Sequence, residues 1–206
     1  MTGLRLAIAL AAALLLVIGC GGSEESTLPV AGVTEILGPY ETEPYRAFDE
    51  TLIRSLEEEC ATALKGGLPL QPELDLADGR GGGYVLLVYG AGAGDTAECF
   101  AKINPDGTPF VDSTGASSGV APVPLGPLEV ASSSGGSSSS GDDSFSYLHG
   151  IVGSEIGGVV IGLADGTDIT ASLGGGRFAA WWPGEVVATR IRGFDRAGNQ
   201  VADQPY

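Results

Sequence analysis

Basic residues, histidine and cysteine are all scarce in this sequence. Ten lysine and arginine residues stand against twenty-six aspartate and glutamate residues, which gives the 206-residue chain a formal net charge of −16. Nucleic-acid binding depends on clustered basic side chains that displace counterions from phosphates, so the composition excludes a nucleic-acid partner. A single histidine and three cysteines also exclude most imidazole-based metal sites, and we predict no metal site.

The longest apolar run of the sequence is too short to cross a bilayer. Leu6–Ile18 contains thirteen residues, which span about 20 Å as a helix against a hydrocarbon core of about 30 Å. Arg5 precedes this run, as a basic residue precedes the apolar region of a signal peptide. The sequence therefore predicts a signal peptide and export, with an uncleaved membrane anchor as the alternative.

The end of the leader is Val17-Ile18-Gly19-Cys20, which resembles the lipobox of bacterial lipoproteins, although leucine is commoner than valine at the first position. The resemblance implies cleavage between Gly19 and Cys20. It also implies a diacylglyceryl group on the Cys20 sulfur and often an acyl chain on the new amino group; we expect no other cofactor. Several acyl chains anchor a protein firmly. The expected location is the extracytoplasmic face of the cell membrane, with the membrane as a partner through the lipid.

Composition divides the chain into five predicted segments. They are the lipoprotein signal peptide (1–19), a flexible tether (20–43), a lobe of one helix and strands (44–130), a Ser/Gly linker or loop (131–144) and a β-sandwich-like module (145–206). Residues 132–141 are pure serine and glycine, which is the composition of a flexible coil. We therefore expect this tract either to connect two modules or to form a long loop.

An amphipathic helix is predicted over residues 44–65. Thr42-Glu43-Pro44 is typical of a helix start, and Gly66-Gly67 is typical of a helix end. Apolar residues recur every four positions between these signals: Phe48, Leu52, Leu56, Cys60 and Leu64. Two strands are predicted after the helix, over 84–89 and 96–103, followed by a turn at 104–107.

Cys60 and Cys99 are the two cysteines left once Cys20 is lipidated. Each lies on the predicted inward face of its element, and an even pair in an exported chain favours a disulfide. The alternative is two unpaired buried thiols.

The C-terminal part has the densest strand signals of the chain. We predict strands near 146–152, 158–163, 168–173, 177–182, 186–194 and 199–203. Three stretches, Val159–Gly166, Gly176–Phe178 and Gly193–Asn199, resemble small bacterial immunoglobulin-like or fibronectin-like β-sandwich modules. The predicted fold is therefore mainly β with one packed helix, and its C-terminal part is a small antiparallel, immunoglobulin-like β-sandwich. Both the helix and the strands of 84–103 are expected to pack against that sandwich.

Two patterns carry candidate catalytic or metal chemistry. Residues 115–119 match G-x-S-x-G, in which Ser117 or Ser118 would need His149 as its base. The residues after this motif, 120–124, include two prolines and cannot begin the helix that such a motif requires. Asp75, Asp78 and the glycine after them lack the remaining ligands of a calcium loop. Neither pattern predicts an active or metal site.

Trp181 and Trp182 are adjacent on a predicted strand, so their side chains must face opposite sides. One ring is expected in the core. The other either presents a binding surface to a protein, peptide or glycan, or is covered by another element.

These observations predict a lipid-anchored cell-envelope protein that displays a non-catalytic binding or structural module outside the membrane. One alternative is a small serine hydrolase of the envelope. Another is a sensor or ligand-delivery lipoprotein, which would need an apolar pocket between helix and sheet.

Overall fold

The computed structural model describes residues 30–65, 73–90, 95–117, 124–140 and 143–206. In these ranges the chain is mainly β, with three antiparallel sheets of four strands each. The helices are α1 (Val33–Ile36) and α2 (Glu50–Leu64). The strands are β1 (Glu73–Gly79), β2 (Tyr84–Gly90), β3 (Thr96–Ile103), β4 (Pro109–Ser117), β5 (Val130–Ser140), β6 (Asp143–Val152), β7 (Ile156–Leu163), β8 (Asp168–Thr170), β9 (Ser172–Gly174), β10 (Arg177–Pro183), β11 (Ala188–Asp195) and β12 (Gln200–Pro205).

The sheets and α2 stack as four layers. The first sheet has the order β1-β2-β3-β4, the second β5-β6-β10-β9 and the third β12-β11-β7-β8. Three apolar clusters separate the layers. The first cluster fills the space between α2 and the first sheet, and the second lies between the first and second sheets. Most of the third cluster lies between the second and third sheets. The second and third sheets therefore form the expected C-terminal β-sandwich, and the first sheet covers one of its outer faces.

Strand β2 is a continuous apolar run because both of its faces are covered. Val85 and Leu87 belong to the cluster beneath α2, whereas Leu86 and Val88 belong to the cluster against the second sheet. The predicted strands at 84–89 and 96–103 are confirmed as β2 and β3. The helix packs on the far face of the first sheet, so the expectation that it packs against the sandwich is wrong.

Helix α2 begins six residues later than predicted. Asp49 caps it by accepting hydrogen bonds from the backbone N–H groups of Thr51 and Leu52. Thr42 and Pro44 lie outside the helix, because the segment that precedes it is irregular, with several bends, and is hydrogen-bonded to other parts of the fold. The buried stripe is as predicted from Leu52 onward, with Leu56, Cys60 and Leu64 also facing the first sheet.

The tether predicted over 20–43 is wrong for residues 30–43, which are the part of it that the structure describes. Ala31 and Ile36 are buried in the cluster beneath α2. Ala31 also forms a parallel bridge with Phe48, and its N–H donates to the carbonyl of Ala47. The apolar residues within an otherwise polar stretch explain why this segment packs instead of extending into solvent.

The Ser/Gly tract is a strand as far as Ser140, and β6 begins at Asp143, so the prediction of a linker or loop is wrong for the described residues of 131–144. Ten residues of β5 pair with β6 in antiparallel register, with one irregularity between Ser132 and Ser134. The tract has little apolar surface of its own, and its backbone hydrogen bonds to β6 hold it in the sheet. The sandwich module therefore starts at Val130 and not at residue 145.

The strands predicted in the C-terminal part are found close to their expected positions, except that 168–173 divides into β8 and β9, which lie in different sheets. Ala171 stands between these two short strands and carries the chain from the third sheet to the second. The immunoglobulin-like resemblance of this module stays a prediction. Over the described residues, α1 and α2 are too short or too polar to traverse a bilayer.

Candidate functional site

Gly19 and Cys20, the predicted cleavage and lipidation residues, lie outside the described residues. The predicted disulfide is present: the Cys60 and Cys99 sulfur atoms are bonded, and both residues are fully buried between α2 and β3. The space between helix and sheet, where a ligand-delivery protein would need its pocket, is filled here by packed side chains of the first cluster.

Both tryptophans are buried, at 2% and 3% exposure for Trp181 and Trp182. They face opposite sides of β10, as predicted. Trp181 packs between the first and second sheets, with ring centroids 5.8 Å from Tyr84 and 5.4 Å from Phe100. Trp182 lies in the sandwich core, where its N–H donates to the carbonyl of Val186 at 2.7 Å. Of the two alternatives for the second ring, burial under another element is the one observed, because the first sheet covers Trp181.

His149 of β6 is fully buried and faces a carboxylate on the neighbouring first sheet. Its Nε2 lies 3.4 Å from Oε2 of Glu98 on β3. The Tyr147 hydroxyl donates to the other oxygen of the same carboxylate at 3.1 Å. Burial first, and then the neighbouring Glu98 charge, raise the pKa of Tyr147. This arrangement joins the first sheet to the second through polar groups.

The serines proposed as partners of His149 fall at the end of β4. Ser117 is the last residue of that strand and pairs with Thr96. Its side chain and the whole of Ser118 lie outside the description. The backbone at Ser117 is an extended strand, whereas a G-x-S-x-G serine acts from a sharp turn between strand and helix.

The two aspartates considered for calcium each belong to an ion pair. Asp78 and Arg80 are fully buried and in contact, and Asp75 contacts Arg177 of β10. Desolvation lowers the pKa of Arg80, but the charge and hydrogen bonds of Asp78, together with those of Tyr40, raise it more, so the net shift is upward. Over the ranges described above, His, Cys, Asp and Glu side chains form no group of three that could hold a metal ion.

Tyr40 lies beside this ion pair. Its hydroxyl donates to the carbonyl of Trp181 at 3.1 Å. Burial raises its pKa to about 12, because Arg80 offsets only part of the desolvation. The tyrosine and the ion pair are therefore structural contacts between layers.

Among the strands that the structure describes, five of the six sheet edges carry features that oppose further strand pairing. Strands β8 and β9 have three residues each. Strand β4 starts at Pro109, β12 ends at Pro205, and β1 carries three acidic residues and a bulge. Strand β5 is the least protected: it has one irregularity, between Ser132 and Ser134, but its eleven residues include neither proline nor a charged side chain, and it pairs without a break from Ser134 to Ser140. In the part of the chain that the structure describes, β6 is its sole strand neighbour.

A groove of about 240 Å³ runs beside β5 at Gly135–Ser137. Trp182, Val187 and Tyr206 give it apolar walls, and Glu185 is the charged residue among those that line it. Val187 is 63% exposed and Tyr206 is 53% exposed, so the rim of the groove presents apolar surface to solvent. The sequence offered one signal for this site, Trp182, but not the neighbouring strand edge.

The arrangement at β5 is suited to binding. It combines an accessible backbone edge, an apolar groove and one carboxylate. We compared the chain with protein-family models, with curated proteins and with solved structures, and none of the three comparisons gave a match.

Proposed function

We propose that the protein is an exported, lipid-anchored protein of the cell envelope whose β-rich body is a non-catalytic binding module. The observation that carries the proposal is the Cys60–Cys99 disulfide, buried where α2 meets the first sheet. Disulfides persist in oxidising compartments and are rare in the cytosol. A buried structural disulfide therefore supports folding outside the cytoplasm.

The sequence Val17-Ile18-Gly19-Cys20 supports anchoring through a lipid on Cys20. The chain has a net charge of −16, which anionic headgroups repel. Acyl chains on Cys20 would then supply the attachment to the membrane, and the folded body would stay clear of the bilayer surface.

Two features favour binding over catalysis. His149, the base that the hydrolase alternative requires, is enclosed between two sheets and faces Glu98. The groove beside β5 is smaller than the cavities of about 300–1,000 Å³ that enclose small ligands, so it suits a side chain of a larger partner better than a free ligand.

The proposal is tested by expressing the full chain in a bacterial host fed with an alkyne fatty acid. We expect the label on the protein, recovery in the membrane fraction, and a mature chain that begins at Cys20. Cys20→Ser should lose the label. The double variant Cys60→Ala with Cys99→Ala is the matched control, because it removes two cysteines and keeps the label.

An intact methionine start, or a label that persists in Cys20→Ser, would contradict the lipid anchor. Free thiols at Cys60 and Cys99 in native material, detected by alkylation and mass spectrometry, would contradict folding in an oxidising compartment.

A further inference from the structure

The hydrogen-bond pattern of β6 shows which backbone groups of β5 face outward. Pro183 of β10 has no N–H and pairs with Phe145, while the next residue, Gly184, donates to the carbonyl of Ser144 at 2.8 Å. Residues of an antiparallel strand alternate between bonding one neighbour and the other. The backbone groups of Ser144 and Ser146 therefore hydrogen-bond to β10. Those of Phe145 and Tyr147 hydrogen-bond to β5.

The same alternation continues into β5. Gly136 and Ser138 are the partners of Tyr147 and Phe145, so their backbone groups are used by β6. Gly135 and Ser137 alternate with them and direct their N–H and C=O groups to the open side of β5. Gly135, Gly136 and Ser137 are all exposed, and their small side chains leave the backbone accessible.

If a further strand were added at the open edge of β5, its side chains opposite Gly135 or Ser137 would lie on the groove side of the sheet. Ser137 is paired with Ser146, and Gly135 is paired with Leu148, which belongs to the sandwich core. Directly paired residues of neighbouring strands place their side chains on the same face. A residue of an added strand opposite Gly135 or Ser137 thus points its side chain toward the groove.

We propose that the open edge of β5 binds an extended, basic segment of a partner protein as an added strand. One lysine or arginine of that segment enters the groove, with its aliphatic stem against Trp182, Val187 and Tyr206 and its charge beside Glu185. The inference rests on the proposed role of the body as a binding module and names the partner's chemistry. In strand addition, backbone hydrogen bonds give affinity and side-chain pockets give specificity.

The negative charge of the chain favours a basic segment of a partner protein over a second copy of the chain. Each chain carries a net charge of −16 and would bring its own Glu185 to a shared β5 edge. Like charges on two such bodies repel, whereas a basic segment is attracted by both the whole body and the groove.

The test uses the full chain in detergent solution and a fluorescent octapeptide, Val-Thr-Val-Thr-Lys-Thr-Val-Thr, followed by anisotropy. A matched peptide carries glutamate in place of lysine. We expect the lysine peptide to bind at least tenfold more tightly than the glutamate peptide. Glu185→Gln should remove most of that preference, because it removes the charge and keeps the shape of the side chain.

Two substitutions at Ser137 test the backbone edge. Ser137→Pro removes one outward N–H without removing a bond to β6, and it should weaken lysine-peptide binding at least tenfold. Ser137→Ala keeps the N–H and should change binding less than threefold. If Ser137→Pro does not fold, as judged by urea unfolding, Glu185→Gln still decides the proposal.

Three results would overturn the inference: no binding of the lysine peptide at millimolar concentration, equal binding of the two peptides, or unchanged binding by a folded Ser137→Pro variant. Sedimentation that shows a dimer dissociated by Ser137→Pro would also overturn it, in favour of a second copy. Because the assay measures peptide binding and not lipidation, its failure is separate from a failure at Cys20.

Discussion

The Asp78–Arg80 pair connects three parts of the fold. Arg80 donates to the carbonyls of Thr42 and Thr170, and Asp78 accepts from the hydroxyl of Ser172 and, at 3.2 Å, from the N–H of Trp181. Two side chains, one on β1 and one directly after it, thereby reach the N-terminal segment and both sheets of the sandwich. Because every charged atom has a partner, the pair fixes how the layers align.

Replacing Asp78 with alanine leaves the Arg80 charge buried without its carboxylate. We expect Asp78→Ala to lower the free energy of unfolding by about 3–5 kcal/mol, the usual cost of breaking a buried ion pair from one side. Urea denaturation followed by tryptophan fluorescence measures this change.

Asp203→Ala is the matched control, because it breaks the ion pair of Asp203 with Arg190, whose side chain is 55% exposed. Exposed pairs contribute little to stability. A loss for Asp78→Ala as small as that for the control would contradict the connecting role of the buried pair.

Sequence patterns revealed the elements whose own side chains make the core. The four-residue period of α2 and the apolar run of β2 were sufficient to place both, and Cys60 and Cys99 were paired correctly because each lies on an inward face. The start of α2 was missed, because Pro44 resembles a first-turn proline although Asp49 makes the cap.

Strand β5 could not be predicted, since nothing in a run of serine and glycine alternates between apolar and polar. Its register comes from β6, whose Phe145 and Leu148 are buried on opposite faces of the second sheet. The candidate site could not be predicted from the sequence either, because an unprotected strand edge is a property of the assembled sheet. Trp182 was correctly singled out, but it contributes a wall of the groove and not an exposed surface.

If β5 is paired as the structure describes, its backbone amides should exchange with solvent deuterium in alternation. Gly136 and Ser138 should exchange slowly because their N–H groups bond β6, whereas Gly135 and Ser137 should exchange quickly. Residue-resolved NMR exchange on the full chain measures these rates. Tyr147 and Leu148 are the control, since the central strand β6 bonds neighbours on both sides and both amides should be slow. Fast exchange at all four β5 positions would indicate the flexible coil that composition alone predicts.

At the scale of the whole molecule, the second sheet is a central layer with two apolar faces. Leu148 and Phe178 face the third sheet, while Phe145 and Ala179 face the first. The C-terminal module is therefore not independent of the rest of the chain, although it contains a complete sandwich. The first sheet shields a face that would otherwise be exposed.

Residues 124–206 produced alone should therefore associate or lose stability relative to the full chain. Removing the first sheet exposes Phe145 and Trp181, and burial of each such side chain contributes about 1.5–3 kcal/mol. Tryptophan emission and sedimentation velocity measure the outcome, and we expect red-shifted emission with concentration-dependent association. The matched control is the same segment with Phe145→Thr and Trp181→Thr, which should be monomeric because the exposed face is then polar. A monomeric unmodified segment as resistant to urea as the full chain would contradict the layered core, since the first sheet would then add nothing to the sandwich.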